Sequence, residues 1–305
     1  MTVRIGTRGS RLAQWQAEWL QERLEELGCL ASIRIFKTSG DRLAGQPPAP
    51  MAGKGIFVRE IEEALQAEAI DVAVHSLKDL PVEQPPGLAV IAVPPREDAR
   101  DVLISRERRT LAQLPSGSVI GTGSARRASQ LLGLRPDLRI TPLRGNLDTR
   151  LRKLDRGDCE ALVLAAAGVH RLGLEERVAQ YFSIEEICPA VGQGALAVET
   201  REKDESTRQV VLPLDDASTH LAVRAERALL RELGGGCLAP IAGYACYHEG
   251  EIKLTAVVAS PAGQPIVRGT ATGRPAEPES LGAQLAGELI ARGAAAVLRA
   301  ARAWE

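Results

Sequence analysis

Residues 3–11 read VRIGTRGSR and residues 118–127 read SVIGTGSARR, so one kind of strand-to-helix junction occurs twice in the chain. In each stretch a short apolar run ends in Gly-Thr, and a serine then precedes a helix start that carries arginine. Short apolar runs alternate with helical periodicity around both junctions, a pattern typical of βαβ units on parallel sheets. The repeat predicts two similar α/β lobes, although unrelated βαβ units also share such patterns.

The two series of elements are separated by a charged connector at residues 96–100. Strands are predicted at residues 3–6, 33–37, 70–75, 90–94, 118–122, 138–143 and 160–166, from short apolar runs bounded by turn residues. Helices are predicted at residues 10–28, 57–67, 124–134 and 147–156 from apolar spacing and serine caps.

A smaller α+β domain is predicted after residue 215. A helix at 218–233 ends in three glycines, three antiparallel strands follow at 241–247, 251–259 and 265–272, and one Ala-rich helix closes the chain at 281–302. After the segment PAVGQG the chain is expected to cross back to the first lobe. The predicted domains are therefore 1–95 with 195–214, 96–194, and 215–305.

Composition excludes several classes of protein. The 305 residues are 45% hydrophobic and 25% charged with a net charge of −1, and only three Trp, three Tyr and three Phe are present. These values favour a globular protein and disfavour nucleic-acid binding, which needs a basic surface or stacking aromatics. No apolar run approaches the length of a membrane span. The five cysteines form no CxxC pair. We expect a cytoplasmic monomer without metal, nucleic acid or membrane as partner.

Arginines cluster where the lobes are expected to bind ligands. Helix starts expose unpaired N–H groups, so Ser10 and Ser124 mark candidate anion sites, although simple capping explains both serines as well. Residues 120–172 carry ten cations against five anions, which indicates a polyanionic target; a solvated surface is the alternative for any single arginine. The candidates are Arg8, Arg11, Arg126, Arg127, Arg144, Arg150, Arg152 and Arg171.

Two further positions carry reactive side chains. Lys78-Asp79 follows the predicted strand 70–75, where a carboxylate can move a proton or stabilise positive charge; an exposed turn is the alternative. Cys237 follows three glycines, which allow close approach of a ligand to the backbone, so its thiol is a candidate nucleophile or covalent anchor. A buried structural cysteine after a helix end explains Cys237 equally well.

Taken together, eight ordered segments resemble the porphobilinogen deaminase family, also called hydroxymethylbilane synthases, over essentially the whole chain. The segments are RIGTRGSRLA, GKGIFVREIEEAL, DVAVHSLKDLP, IGTGSARR, PLRGNLDTRLRKLD, LAAAGVHRLG, PAVGQGAL and GGCLAPI. The resemblance implies two lobes like those of periplasmic binding proteins, joined by hinges, plus the small C-terminal domain. It also implies a transferase that joins four porphobilinogen molecules head to tail into hydroxymethylbilane and releases four ammonia molecules.

The resemblance further implies roles for individual residues. Asp79 would be the catalytic acid, and Cys237 would hold a dipyrromethane cofactor through a thioether. The other implied cofactor ligands are Ser76, Lys78, Thr122, Ser124, Arg126, Arg127, Arg144 and Arg150. The implied substrate ligands are Arg8, Ser10, Arg144, Arg150, Arg171 and Gln193. Arg59, Gly123 and Leu238 depart from common family residues without removing a required chemical group.

Two alternatives stay open at this point. A non-catalytic anion-binding protein with two lobes would explain the arginines, but it gives no reason for Asp79 or for Cys237 after a glycine run. The Pro-rich residues 43–52 form either a mobile lid over the site or an ordinary surface loop.

Overall fold

The repeated junction forms similar local structure in both places: a strand that includes the glycine of Gly-Thr and a helix that begins after serine. The computed structural model describes residues 2–38, 58–236 and 239–302, so residues 43–52 and Cys237 lie outside the described part. The described strands are β1 (Thr2–Arg8), β2 (Leu30–Phe36), β3 (Val72–Ser76), β4 (Leu88–Ala92), β5 (Asp101–Ser105), β6 (Val119–Gly121), β7 (Arg139–Thr141), β8 (Ala161–Ala165), β9 (Gln180–Tyr181), β10 (Leu196–Arg201), β11 (Ile241–His248), β12 (Glu251–Ala259) and β13 (Ile266–Gly273).

The described α-helices are α1 (Arg11–Glu26), α2 (Arg59–Gln66), α3 (Ala125–Leu134), α4 (Leu147–Asp155), α5 (Ala166–Arg171), α6 (Glu205–Val211), α7 (Ala217–Glu232), α8 (Pro278–Ala291) and α9 (Ala294–Arg302). They divide, with the strands, into two compact units: Met1–Arg96 with Ala195–His220, and Glu97–Gly194 with Leu221–Glu305. The second unit contains two separate sheets. The proposed boundary near residue 215 stays a prediction.

The first unit is built on a five-stranded sheet in the order β2-β1-β3-β10-β4. β1 runs parallel to β2 and β3, whereas β10 runs antiparallel to β3 and β4. Helix α1 begins after Ser10, whose hydroxyl accepts a hydrogen bond from the Ala13 N–H at 3.3 Å. Its buried Leu20 and Leu24 pack on the sheet, and burying each such side chain contributes about 1.5–3 kcal/mol.

The second unit repeats this sheet order as β7-β6-β8-β5-β9. β6 runs parallel to β7 and β8, and β5 is the antiparallel strand. Gly121, at the end of β6, shows why the junction needs glycine: an added Cβ would lie 2.8 Å from Leu162 Cδ2 and 3.0 Å from Cys159 Sγ. Gly6, the equivalent residue of β1, is crowded in the same way by Ile70.

The third sheet is the antiparallel meander β11-β12-β13, covered by α7, α8 and α9 around a core that includes Leu229, Leu254 and Leu285. Its strands confirm the predicted order. The prediction of one closing helix at 281–302 is wrong, because the chain breaks between α8 and α9 at Gly293, whose φ is +99°. A positive φ interrupts a right-handed helix and is adopted easily by glycine.

The α/β class with an α+β C-terminal part is confirmed, but the sheets of both lobes are mixed rather than purely parallel. β5 lies directly after the predicted connector, and β10 contains the predicted return to the first lobe. No single described helix has both the length and the apolar composition needed to cross a membrane; α8 and the first part of α9 reach that composition only as a pair, with an 82° bend between them.

Candidate functional site

A cleft in the first unit lies where two parallel strands end and a helix begins. β1 ends at Arg8, α1 starts after Ser10, and Ser76 ends β3 just before the turn that carries Asp79. Because β1 and β3 are parallel, their carboxyl ends meet at one edge of the sheet. Arg8, Ser10, Ser76 and Asp79 all line this cleft, together with Thr7, Gln16 and His75. The structure therefore brings these four predicted residues together.

Two buried leucines hold the Asp79 turn in place. Residues Leu77–Asp79 form one turn of 3-10 helix, and the Leu77 N–H donates to the Ala195 carbonyl at 3.0 Å. Leu77 and Leu80 are buried on either side of the pair Lys78-Asp79, whereas Asp79 is exposed. The turn fixes the backbone of Asp79 and leaves its side chain exposed at the wall of the cleft.

Gln16 is a cleft residue that the sequence analysis did not identify. It lies on the buried face of α1 and is 3% exposed, and its Nε2 donates to the Ser76 hydroxyl at 2.8 Å. A polar residue at a buried position of an amphipathic helix is the signal that could have found it. The contact ties the helix start to the strand that leads into the Asp79 turn.

One residue of the cleft wall, His75, contacts a buried group of acidic residues. His75 Nε2 lies 3.1 Å from Glu199 Oε2, and Gln84 Nε2 donates to Glu199 Oε1 at 3.3 Å. Glu62 is also buried, and its Oε1 has no hydrogen-bond partner among the described residues. Burial, and secondarily the charge of Glu199, raise the pKa of Glu62 above 4.5, although His75 opposes the shift. This carboxyl therefore binds its proton more tightly in the folded protein than in the unfolded chain.

The second unit presents a donor-rich edge at the carboxyl ends of β6 and β7. Thr122 Oγ1 accepts from the Ser124 N–H at 3.2 Å, and the Ser124 hydroxyl caps α3 by accepting from the Arg127 N–H at 3.4 Å. Arg150 Nε donates to the Gly145 carbonyl at 2.9 Å, and Arg144 is exposed on the same loop. The β6 and β7 ends thus gather hydroxyl and guanidinium donors at one edge.

Arg126 and Arg127 are both 5% exposed and both pair with the buried Asp101. Burial alone would raise the pKa of the Asp101 carboxyl, but the charges and hydrogen bonds of the two arginines outweigh it and hold that pKa well below 3.8. No role for Asp101 was predicted from the sequence. The signal that could have found it is an acidic residue directly before the apolar run 102–104.

Gln193 belongs to the segment PAVGQG, and Arg171 contacts this segment. Gln193 is fully buried, and its Nε2 donates to the Ala99 carbonyl at 2.7 Å and to Asp101 Oδ1 at 2.9 Å. Arg171, the last residue of α5, donates from NH2 to the Gly194 carbonyl at 2.7 Å. Burial lowers the pKa of Arg171 to about 10, against the opposing charge of Glu97. Gln193 therefore links this segment to the start of β5, and Arg171 binds the last residue of the segment.

A ligand rich in carboxylates fits the donor set of the second unit. Thr122 and Ser124 supply hydroxyls, and Arg144 and Arg150 supply guanidinium groups whose planar fork matches a carboxylate. A dipyrromethane bears acetate and propionate side chains, so this chemistry suits it. The described residues contain no group of three or more His, Cys, Asp or Glu side chains arranged to hold a metal ion.

Comparison with known proteins covers nearly the whole chain. A family model described as porphobilinogen deaminase, dipyromethane cofactor binding domain, matches residues 3–209, and one described as porphobilinogen deaminase, C-terminal domain, matches residues 220–291. The porphobilinogen deaminase of Syntrophotalea carbinolica is 50% identical over 300 residues, covering 98% of this chain and 95% of that protein. The porphobilinogen deaminase of Geobacillus kaustophilus is 49% identical over 297 residues, covering 96% of each chain.

Among solved structures, a periplasmic substrate-binding protein of an ABC transporter from Coxiella burnetii is similar with a TM-score of 0.44 and 18% identity, covering 70% of this chain and 91% of that chain.

The family matches define a transferase of tetrapyrrole biosynthesis that uses a dipyrromethane cofactor. The chain belongs to the porphobilinogen deaminase family. Its reaction joins porphobilinogen molecules head to tail into hydroxymethylbilane with release of ammonia, as the sequence resemblance implied.

Proposed function

We propose that Asp79 is the catalytic acid of this reaction and that the cleft of the first unit holds the reacting porphobilinogen. The position of Asp79 in one cleft with Arg8, Ser10 and Ser76 is the observation that carries this proposal. Arg8 and the helix start behind Ser10 would bind substrate carboxylates. Asp79 would deliver a proton as ammonia departs, and its carboxylate would then stabilise positive charge on the pyrrole nitrogen.

The second unit would hold the carboxylates of the cofactor and of the growing chain. When bound, the dipyrromethane supplies the pyrrole end to which the first substrate is joined. Thr122, Ser124, Arg144 and Arg150 would bind its acetate and propionate groups. Ser76 and Lys78 are further proposed cofactor ligands. The remaining proposed ligands are Arg126 and Arg127 for the cofactor and Arg171 and Gln193 for the substrate.

Cys237 would anchor the cofactor through a thioether. The proposed domains are 1–95 with 195–214, 96–194 and 215–305, and the anchor belongs to the third of them. Support for this assignment comes from the segment GGCLAPI and from the chemistry of the other thiols. Burial raises the pKa of Cys159 to about 11 and that of Cys188 to about 12, so neither is a ready nucleophile near neutral pH.

We expect a cytoplasmic, monomeric enzyme that binds neither nucleic acid nor membrane. The described cysteines Cys29, Cys159, Cys188 and Cys246 are free thiols, which suits a reducing compartment. The net charge of −1 differs from the strongly basic balance typical of nucleic-acid-binding proteins.

Steady-state kinetics of Arg8→Leu test the cleft assignment. Losing a charge-assisted hydrogen bond of roughly 1.5–3 kcal/mol should raise KM for porphobilinogen about 10- to 100-fold. Arg34→Leu is the matched control, because exposed Arg34 donates from NH1 to the Ala69 carbonyl at 3.0 Å and lies outside the cleft. Equal KM values for both variants and the unaltered enzyme would remove Arg8 from the substrate site.

A further inference from the structure

The buried carboxylate of Asp101 occupies the centre of a polar network in the second unit. Asp101 opens β5 and lies opposite Ala165, the last residue of β8, so it sits at the same sheet edge as the helix start that carries Arg126 and Arg127. Its side chain is fully buried. A buried carboxylate is tolerated only where several donors satisfy it, and here they come from the start of α3 and from Gln193.

The contacts fix both guanidinium groups in orientation. Asp101 Oδ2 accepts from Arg126 NH1 at 2.6 Å, and Oδ1 accepts from Arg127 Nε at 3.0 Å and from Arg127 NH2 at 2.7 Å. Arg126 NH1 also donates to the Cys188 carbonyl at 2.7 Å. Asp101 thus binds Arg126 through one terminal guanidinium nitrogen, and it binds Arg127 through Nε and one terminal nitrogen.

A second carboxylate fixes the loop that supports this pair. Gln193 Nε2 donates to Asp101 Oδ1, and Gln193 Oε1 accepts from Arg127 NH2 at 3.3 Å. The backbone of the preceding residue, Gly192, donates to the buried Glu226 on α7 at 2.7 Å, and Glu226 also accepts from the Ala245 N–H at 2.7 Å. The arginine pair is therefore braced against the helix that precedes the Cys237 segment.

We propose that Asp101 is a positioning residue for cofactor capture, which orients Arg126 and Arg127 before the dipyrromethane carboxylates arrive. This rests on the proposed function of the two arginines as cofactor ligands. Two guanidinium groups that are already oriented lose little conformational freedom when they bind a carboxylate. Replacing Asp101 would remove this orientation, so it should slow cofactor loading more than it slows turnover by enzyme that already carries the cofactor.

Loading can be followed on full-length protein prepared without cofactor, by incubating it with porphobilinogen and measuring intact mass over time. Asp101→Asn removes the charge and Asp101→Glu keeps it but displaces it by a methylene. Asp98→Asn is the control, because Asp98 pairs with Arg100 on the same connector and not with the arginine pair. Both Asp101 variants should load about tenfold or more slowly, and Asp98→Asn at the unaltered rate. Melting curves of the unloaded proteins establish which variants fold.

Loading of a folded Asp101→Asn or Asp101→Glu protein at the unaltered rate would overturn the proposal, and so would failure of both to fold, since Asp101 would then be purely structural. The Arg127→Leu variant distinguishes failure of the proposed cofactor role of the arginine from failure of the proposed positioning role of Asp101. If Arg127→Leu loads normally, the proposed cofactor role of the arginine fails; if it does not load while the Asp101 variants do, only the positioning role of Asp101 fails.

Discussion

Gln16 Nε2 donates a hydrogen bond of 2.8 Å to the Ser76 hydroxyl, which links helix α1 to the end of strand β3 in the first unit. The Asp79 turn begins at the next residue, Leu77. The turn that carries Asp79 thus starts directly after a residue held by a buried amide.

A double-mutant cycle measures this contact. Gln16→Leu leaves the partly buried Ser76 hydroxyl without this donor, so we expect the free energy of unfolding to fall by about 1–3 kcal/mol. Adding Ser76→Ala should recover part of the loss, giving a coupling energy of about 1 kcal/mol in urea unfolding. Gln14→Leu is the control, because Gln14 donates only to the exposed Gly9 carbonyl. A coupling energy near zero would show that the two side chains act independently.

The buried carboxyl of Glu62 predicts a dependence of stability on pH. Because folding raises its pKa, the folded protein binds this proton more tightly than the unfolded chain does, and the associated stability is lost as pH rises above about 4.5. Glu62→Gln should therefore stabilise the protein at pH 7 relative to the unaltered enzyme, and this advantage should shrink as pH falls through that range.

Urea unfolding at several pH values checks the prediction for Glu62. Glu63→Gln is the matched control on the same helix, because Glu63 is largely exposed and pairs with Arg59. If Glu62→Gln and Glu63→Gln showed the same change at every pH, the pKa of Glu62 would not be raised by folding.

Cysteine replacements separate the anchor from the structural thiols. Cys237→Ala should abolish the mass excess of two pyrrole units and nearly all activity. Cys159→Ser and Cys188→Ser should keep that excess but lose stability, because both thiols are buried. Intact mass and thermal melting distinguish the two effects. A full mass excess in Cys237→Ala would place the anchor on another residue.

Substitutions of Arg144 test whether the donor-rich edge of the second unit binds carboxylates through bidentate geometry or through charge alone. Arg144→Lys keeps the charge and loses the bidentate fork, so we expect slower cofactor loading or stalled enzyme-bound chains, and Arg144→Leu should be worse. Both should fold, because Arg144 is exposed. Mass spectrometry of the bound chain during turnover gives the readout. Unaltered loading and elongation in both variants would exclude Arg144 from the site.

The sequence predicted most strands and the grouping of the site at their carboxyl ends, because strand-to-helix junctions are local and carry their own glycine and serine signals. It did not predict that β10 would pair with β3 in antiparallel order, since that pairing joins residues as distant as His75 and Ala197. For the same reason it missed Asp101, whose partners Arg126 and Gln193 lie 25 and 92 residues away along the chain. Buried polar partners are chosen by tertiary contacts, which periodicity does not encode.

The role of Asp79 as the catalytic acid is tested most directly with the Asp79→Asn variant loaded with cofactor. Its ammonia release is measured in a single turnover, and the bound chain is identified by mass spectrometry. Asparagine keeps the shape but supplies neither proton nor negative charge, so release should slow by about 10²–10⁴-fold. Asp79→Glu should retain measurable release, about 10²-fold slowed by misplacement of the carboxylate. Both should fold, because Asp79 is exposed on its turn. Ammonia release by loaded Asp79→Asn within about tenfold of the unaltered enzyme would contradict the account and assign the acid to another group.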